Sequence, residues 1–159
     1  MRIGIGYDIH RLDHGQEMIL GGCNIDSPKG SVGHSDGDVL IHAVCDAILG
    51  ALGAQDIGIM FPDTDSKYKN ADSAEFLCQI KNIMKEKQYK LNNLDSVIVC
   101  EEPKIALYRK QIINKLGGIL GVSSDRINVK GKTSEKMGDI GAGKAIEAQV
   151  VVLLEKESG

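Results

Sequence analysis

The chain has 159 residues, a formal net charge of −3, 42% apolar residues, 4% aromatics and no Trp. That length predicts one domain over residues 1–159, with a core built on Ile, Leu, Val and Ala. The acidic balance, without a basic tract or stacking aromatics, excludes general nucleic-acid binding. No apolar run reaches the ~18 residues of a membrane span. Four separated Cys, at 23, 45, 78 and 100, make neither a zinc ribbon nor a disulfide framework. Reduced thiols, and an opening Met1-Arg2-Ile3-Gly4 without a signal-peptide pattern, predict a cytoplasmic protein.

In chain order, Ile3, Ile5, Tyr7 and Ile9 alternate with Arg2, Gly4, Gly6, Asp8 and His10. This period of two predicts a strand with Asp8 and His10 on one face and the Ile side chains on the other. Met18-Ile19-Leu20 and Asn24-Ile25 around Gly21-Gly22 predict a short hairpin, and Gly30 to Gly37 a mobile loop. Ser35 is the expected N-cap of the next helix, with Asp38 as a shortened capping-box partner. Leu40, Val44, Ile48 and Leu52 recur at helical spacing, and Gly53 ends the helix. Asp38, His42 and Asp46 stand four apart, so His42 sits between carboxylates on one stripe. Such a His serves either as a salt-bridged surface residue or as a metal ligand. Joined to Asp8 and His10 at a strand end, His42 completes a set of two imidazoles and one carboxylate, which suits zinc with an open fourth position. The free N–H groups at the helix start, beside His34 and Ser35, suit an anion.

Asp56 to Asp65 reads as a loop whose aspartates either solvate a turn or recognise ribose hydroxyls and support a metal. Asp72-Ser73-Ala74-Glu75 is a capping-box start to a helix carrying Phe76, Leu77, Ile80, Ile83 and Met84. A strand covers Leu94 to Cys100, and Glu101-Glu102-Pro103-Lys104 breaks it, with Pro103 opening a helix that runs through Ile112 and Leu116 to Gly121. Arg126 to Lys130 is a strand. The following Gly131-Lys132-Thr133-Ser134-Glu135 suits phosphate, through N–H groups, a hydroxyl and a Lys, while Glu135 suits a hard cation such as Mg²⁺. Gly138 to Gly143 is a glycine loop, and Ala145 to Glu155 holds an apolar run expected to be a buried strand.

These residues resemble the 2-C-methyl-D-erythritol 2,4-cyclodiphosphate synthase family from residue 3 to about residue 154. The resemblance is carried by Gly6-Tyr7-Asp8-Ile9-His10, Gly33 to Asp38 with His42-Ala43 and Asp46-Ala47, Asp56-Ile57-Gly58, Phe61-Pro62-Asp63-Thr64-Asp65, Pro103-Lys104, and Val129-Lys130 with Thr133 and Glu135. It implies an α/β fold of the α+β two-layer kind. A small mixed β-sheet carries helices on one face, and the chain assembles as a homotrimer with active sites between subunits. It implies cyclisation of 4-diphosphocytidyl-2-C-methyl-D-erythritol 2-phosphate with loss of CMP, in isoprenoid precursor synthesis by the non-mevalonate route. The implied cofactors are one Zn²⁺ per subunit on Asp8, His10 and His42, and Mg²⁺ or Mn²⁺ at the diphosphate on Glu135. The implied catalytic residues are His34, Ser35, Thr133 and Glu135. Substrate contacts are implied at Asp8, Ile9, His10, His34 and Ser35, and for the ribose at Asp56, Ile57 and Gly58. They continue at Phe61, Pro62, Asp63, Thr64 and Asp65. The cytosine pocket falls at Cys100, Glu101, Glu102, Pro103, Lys104, Ile105 and Ala106, and the diphosphate at Thr133, Ser134 and Glu135, beside which Lys132 either adds a phosphate contact or points to solvent. The chain departs from the family pattern at Gly131-Lys132, and at Asp139 and Ala142, where Phe and Arg are usual. A zinc hydrolase using the same three ligands and an inactive zinc-binding trimer are the competing readings.

Overall fold

The computed structural model describes residues 1–33, 35–62, 64–68 and 71–157. Five strands form one mixed sheet: β1 (Arg2–His14), β4 (Lys29–Val32), β5 (Tyr89–Val99), β6 (Ile127–Lys132) and β7 (Ala145–Lys156). Their order is β4-β1-β7-β5-β6, with β5 and β6 parallel and the other neighbours antiparallel. A separate hairpin pairs β2 (Met18–Leu20) with β3 (Cys23–Ile25). Helices α1 (Val39–Leu52), α3 (Ser73–Glu86) and α4 (Arg109–Leu120) pack on the sheet, and α2 (Ile57–Met60) and α5 (Gly138–Gly141) are single turns.

The two faces of β1 are used in an unusual way. Its glycines, not its isoleucines, face α1. A Cβ on Gly4 would stand 1.9 Å from the Ala47 carbonyl oxygen, and one on Gly6 would stand 1.9 Å from that of Ala43. No side chain fits there, so α1 rides directly on the strand backbone through its Ala43, Ala47 and Ala51 stripe. Asp8 and His10 continue the glycine face, one and two steps further along the strand. The other face carries Ile3 and Ile5, which are 72% and 70% exposed. The final strand repeats this asymmetry. In β7, Ala148, Val150, Val152 and Leu154 are fully buried, while Val151 is 41% exposed. The apolar run at 150–154 is thus buried on its helix face only, and not on both faces as its composition predicts.

Other boundaries differ from the sequence reading. Asp38, not Ser35, caps α1, and its carboxylate accepts the Leu40 and Ile41 N–H groups. The same buried carboxylate takes the Gly21 and Gly22 N–H groups at 3.0 and 2.6 Å, which ties the hairpin to the helix start. Burial pushes the Asp38 carboxyl up to about 6, against the pull of those backbone donors. Residues 30–32, expected to open a mobile loop, instead belong to β4 because β1 is long enough to pair with them. Pro103 does not open α4: it follows a cis peptide bond, a 3₁₀ turn at Ile105–Leu107 intervenes, and the helix begins at Arg109. Strand β5 begins at Tyr89, five residues before the predicted strand, with a register shift between Leu91 and Asn93. The stops at Gly53 and Gly121 are as expected, with φ of 68° and 74° in the left-handed region.

Candidate active site and metal centre

The close approach of α1 to β1 brings His42 to Asp8. His42 Nδ1 and His10 Nε2 each lie 3.0 Å from Asp8 Oδ2. One donor atom from each of Asp8, His10 and His42 falls within 4.8 Å of the others. The rings meet edge to face, with centroids 5.1 Å apart. The far side of each ring is occupied. His10 Nδ1 is 2.9 Å from the Gly37 carbonyl oxygen, which can only accept, so that nitrogen carries the hydrogen. His42 Nε2 lies 3.0 Å from Ser73 Oγ and 3.1 Å from Ser35 Oγ. Both rings therefore aim their remaining nitrogens at a carboxylate oxygen. A proton or a cation must sit among three such atoms, and the set fits a divalent metal. Burial raises the Asp8 carboxyl, but hydrogen bonds and charge from His10 and His42 outweigh it and hold the group well below the usual range. Burial lowers His10, but Asp8 and the Gly37 carbonyl more than reverse this.

These donors line a cleft of about 360 Å³. Val32, Gly33 and Ser35 form one wall. Asp46, Ile57, Gly58, Phe61, Tyr68 and Phe76 form the rest. Asp46 accepts the Ile57 N–H at 2.8 Å and so anchors the turn that holds Gly58. Burial raises the Asp46 carboxyl. Phe61 stacks on Phe76 at 4.5 Å and meets Tyr68 edge to face. Asp56 caps α2 by accepting the Ile59 N–H at 3.1 Å, so the stretch read as a loop is partly helical. Pro62 is half-buried and Thr64 is exposed. Asp65 pairs with Lys67 at 2.9 Å and not with the donor set. The Ile9 side chain faces the opposite side of the sheet, and its contribution here is an N–H donated to Asp8 Oδ1 at 2.9 Å. His34 and Asp63 lie outside the described residues.

The remaining site residues form a second cluster at the ends of β5 and β6. A pocket of about 220 Å³ is lined by Cys100, Glu101, Pro103, Lys104, Ile105, Ala106, Gly131, Lys132 and Thr133. Among the described residues it shares no lining residue with the cleft. A Cβ at Gly131 would stand 2.7 Å from the Ile105 Cβ, which gives a steric reason for glycine there. Glu101 accepts the Ser134 N–H at 2.9 Å and shapes the next turn, where Glu135 and Lys136 hold left-handed backbones at φ of 52° and 61°. Thr133 donates its hydroxyl hydrogen to Glu135 Oε1 at 2.8 Å. Burial, then the Glu101 charge, pushes the Cys100 thiol up to about 12, which favours the protonated form. Glu102 lines a separate depression with Lys29 and Lys136. Asp139 lies in α5 and Ala142 just after it, both exposed.

Sequence reasoning missed Asp36, Gly37 and Ser73 around the imidazoles, and Asp38 does not flank His42 as its spacing predicted. Ser73 was visible only as part of a helix-start motif. Nothing local marks it as a neighbour of His42.

The YgbB family model matches residues 1–155. The 2-C-methyl-D-erythritol 2,4-cyclodiphosphate synthase of Fusobacterium nucleatum is 52% identical over 157 residues, spanning 99% of this chain and 98% of the relative. That of Listeria innocua is 49% identical over 156 residues, spanning 98% and 99%. A solved structure described as the Plasmodium falciparum IspF CDP complex matches with a TM-score of 0.87 at 40% identity, covering 99% of this chain and 97% of that one. Full-length matches in sequence and in fold thus accompany the Asp8–His10–His42 cleft, and the chain belongs to the YgbB family.

Proposed function

We propose that this chain is an enzyme of isoprenoid precursor synthesis, a cyclodiphosphate synthase. It acts on 4-diphosphocytidyl-2-C-methyl-D-erythritol 2-phosphate. The 2-phosphate oxygen attacks the β-phosphorus, the bond from that phosphorus to the CMP oxygen breaks, and CMP leaves as 2-C-methyl-D-erythritol 2,4-cyclodiphosphate forms. The observation that carries this reading is the convergence of Asp8, His10 and His42 on one point at the wall of the cleft. No Ser or Cys nucleophile is needed, because the nucleophile belongs to the substrate.

Asp8, His10 and His42 would hold Zn²⁺, and Glu135 beside Thr133 would hold Mg²⁺ or Mn²⁺. Bound cations supply Lewis-acid stabilisation of the phosphate charge. The chain's own groups bind and orient. Ser35 and His34 hold the methylerythritol phosphate above the helix start. The Asp56 carboxylate oxygen not used for capping takes a ribose hydroxyl, and Ile57 and Gly58 bring backbone close to it. Cys100 through Ala106 read cytosine with backbone groups, where a wrong base strands a polar atom. Thr133 and Lys132 meet the diphosphate. This is catalysis by positioning and charge.

The working unit is a homotrimer. Two observations support it. The metal cleft and the Cys100–Thr133 pocket share no residue among the described residues of one chain, so a neighbour's pocket is free to complete the cleft. The open sheet face also presents Ile3, Ile5, Ile9 and Val151 to solvent in the single chain. A relative described as a CDP complex supports the cytidine assignment.

Phosphorus NMR of the chain incubated with substrate and Mg²⁺ tests the reaction. Cyclic diphosphate with stoichiometric CMP is expected, and its loss on chelation of the metals. Linear phosphate esters would assign a hydrolase instead, and unchanged substrate a non-catalytic metal protein. Analytical ultracentrifugation tests the trimer.

A further inference from the structure

The two nitrogens of His42 have different surroundings. Nδ1 is one of the three donors. Nε2 points away from them, toward Ser73 at the first residue of α3. Ser73 is fully buried, and both its polar groups are committed to one side chain. Its hydroxyl donates to Asp36 Oδ1, and its N–H donates to Asp36 Oδ2 at 3.0 Å. A hydroxyl has a single hydrogen. With that hydrogen on Asp36, Ser73 Oγ faces His42 only as an acceptor, and the ring hydrogen must sit on Nε2. The lone pair of the neutral ring is then on Nδ1, where the metal donors meet. Ser35 Oγ, 3.1 Å from the same nitrogen, does not set this polarity, because no carboxylate among the described residues holds its hydrogen. His10 reaches the same result through the Gly37 carbonyl. His42 sits inside a helix whose carbonyls bond along the helix, so its acceptor has to come from another element.

We infer that Asp36 and Ser73 are positioning residues that select the metal-binding tautomer of His42. The inference rests on reading Asp8, His10 and His42 as a metal donor set. The chain of hydrogen bonds has one direction: Asp36 accepts from Ser73, Ser73 accepts from His42, and His42 offers its lone pair to the cation. Replacing Asp36 by Asn reverses it. The Asn amide N–H₂ group donates to Ser73 Oγ, the Ser73 hydrogen turns to Nε2, and the ring hydrogen moves to Nδ1, into the donor set.

The test is competition between the full-length protein and a chromophoric chelator for Zn²⁺, with thermal melting recorded for each variant. The wild-type chain should take up one Zn²⁺. Ser73→Ala keeps the N–H bond to Asp36, so α3 still starts there, and it should bind Zn²⁺ roughly 10–100-fold more weakly at unchanged stoichiometry. Asp36→Asn should weaken binding at least as much. Ser73→Thr, which keeps the hydroxyl, should restore wild-type affinity, a rescue that a mere packing role for the site would not produce. No uptake by the wild type would overturn the donor-set reading and this inference together. Wild-type uptake with equal affinity in Ser73→Ala and Asp36→Asn would overturn the inference alone. A folded Ser73→Thr as weak as Ser73→Ala would do the same.

Discussion

The cleft and the Cys100–Thr133 pocket, the two halves of the proposed site, are built by different means. The cleft uses side chains, and each is held by a second bond: His10 by Gly37, His42 by Ser73, Asp8 by the Ile9 N–H. The Cys100–Thr133 pocket lies at two strand ends, joined where Cys100 donates its N–H to the Lys132 carbonyl at 3.0 Å. Of its charged residues, Lys104 and Lys132 are exposed and Glu101 is half-buried. A metal site needs fixed lone pairs, so it is braced from behind. In the proposed reading, a pocket for a flat base needs fixed donors and acceptors at set heights, which backbone can supply without side-chain entropy. The first half therefore depends on residue identity, and the second on where the strands end.

The sharpest way to break that contrast is at the glycine face, where the cleft depends on backbone too. Gly6→Val would drive a branched side chain into the Ala43 carbonyl and the Ala47 N–H group, 1.9 and 2.7 Å from a Cβ. A loss of more than about 3 kcal/mol is expected, with zinc uptake lost at the same time. Denaturant unfolding and metal analysis of one preparation would check it. His42→Ala should abolish zinc and turnover while leaving the fold, because α1 is held by buried Leu40, Ile41, Val44 and Ile48. Far-UV circular dichroism beside metal analysis separates these effects, and full zinc content in that variant would disprove the ligand assignment.

Asp38→Ala should cost about 2–4 kcal/mol, since two helix-start donors and two hairpin donors lose one buried acceptor. Urea midpoints would show it, with zinc stoichiometry retained at low denaturant. In the other half, Thr133→Val should lower turnover about 100-fold with zinc content unchanged, if the hydroxyl meets charge at the diphosphate. A parallel loss of zinc would merge the two halves into one unit. The smallest effect is a control far from both. Gly118 lies in α4 with nothing within 4 Å of a Cβ, and Gly118→Ala should stabilise the chain by about 0.5–1 kcal/mol with unchanged activity.

Much of the cleft was legible in the chain because its chemistry is carried by residue type at short spacing. Asp8 and His10 share a face by the period of a strand, and His42 was marked by its helix. Ser73 was not legible, because the capping-box pattern around it explained it fully. Its partner stands 31 residues away and is reached only once α3 docks on α1. Asp38 misled for a related reason. Spacing of four placed it beside His42, but an N-cap residue turns its side chain back to the helix N–H groups and leaves the stripe. In the Cys100–Thr133 pocket, Cys100 through Ala106 were legible by resemblance alone, whereas Gly131, Lys132 and Thr133 were marked by residue type as suited to phosphate.

By itself the sequence determined the period of each main element, the glycine stops of α1 and α4, and the three donor residues, because dihedral preference and side-chain chemistry are local properties. Only the tertiary structure decided which face of β1 meets a helix. Its apolar face is the isoleucine one, and every local rule turns that face inward. The glycines won because contact between helix and strand backbones buries more of α1 than any side chain at positions 4 and 6 would permit. That packing brings His42 within reach of Asp8 and leaves the isoleucines open to solvent in the single chain. Close packing is a relation between distant segments, and no window of sequence contains both.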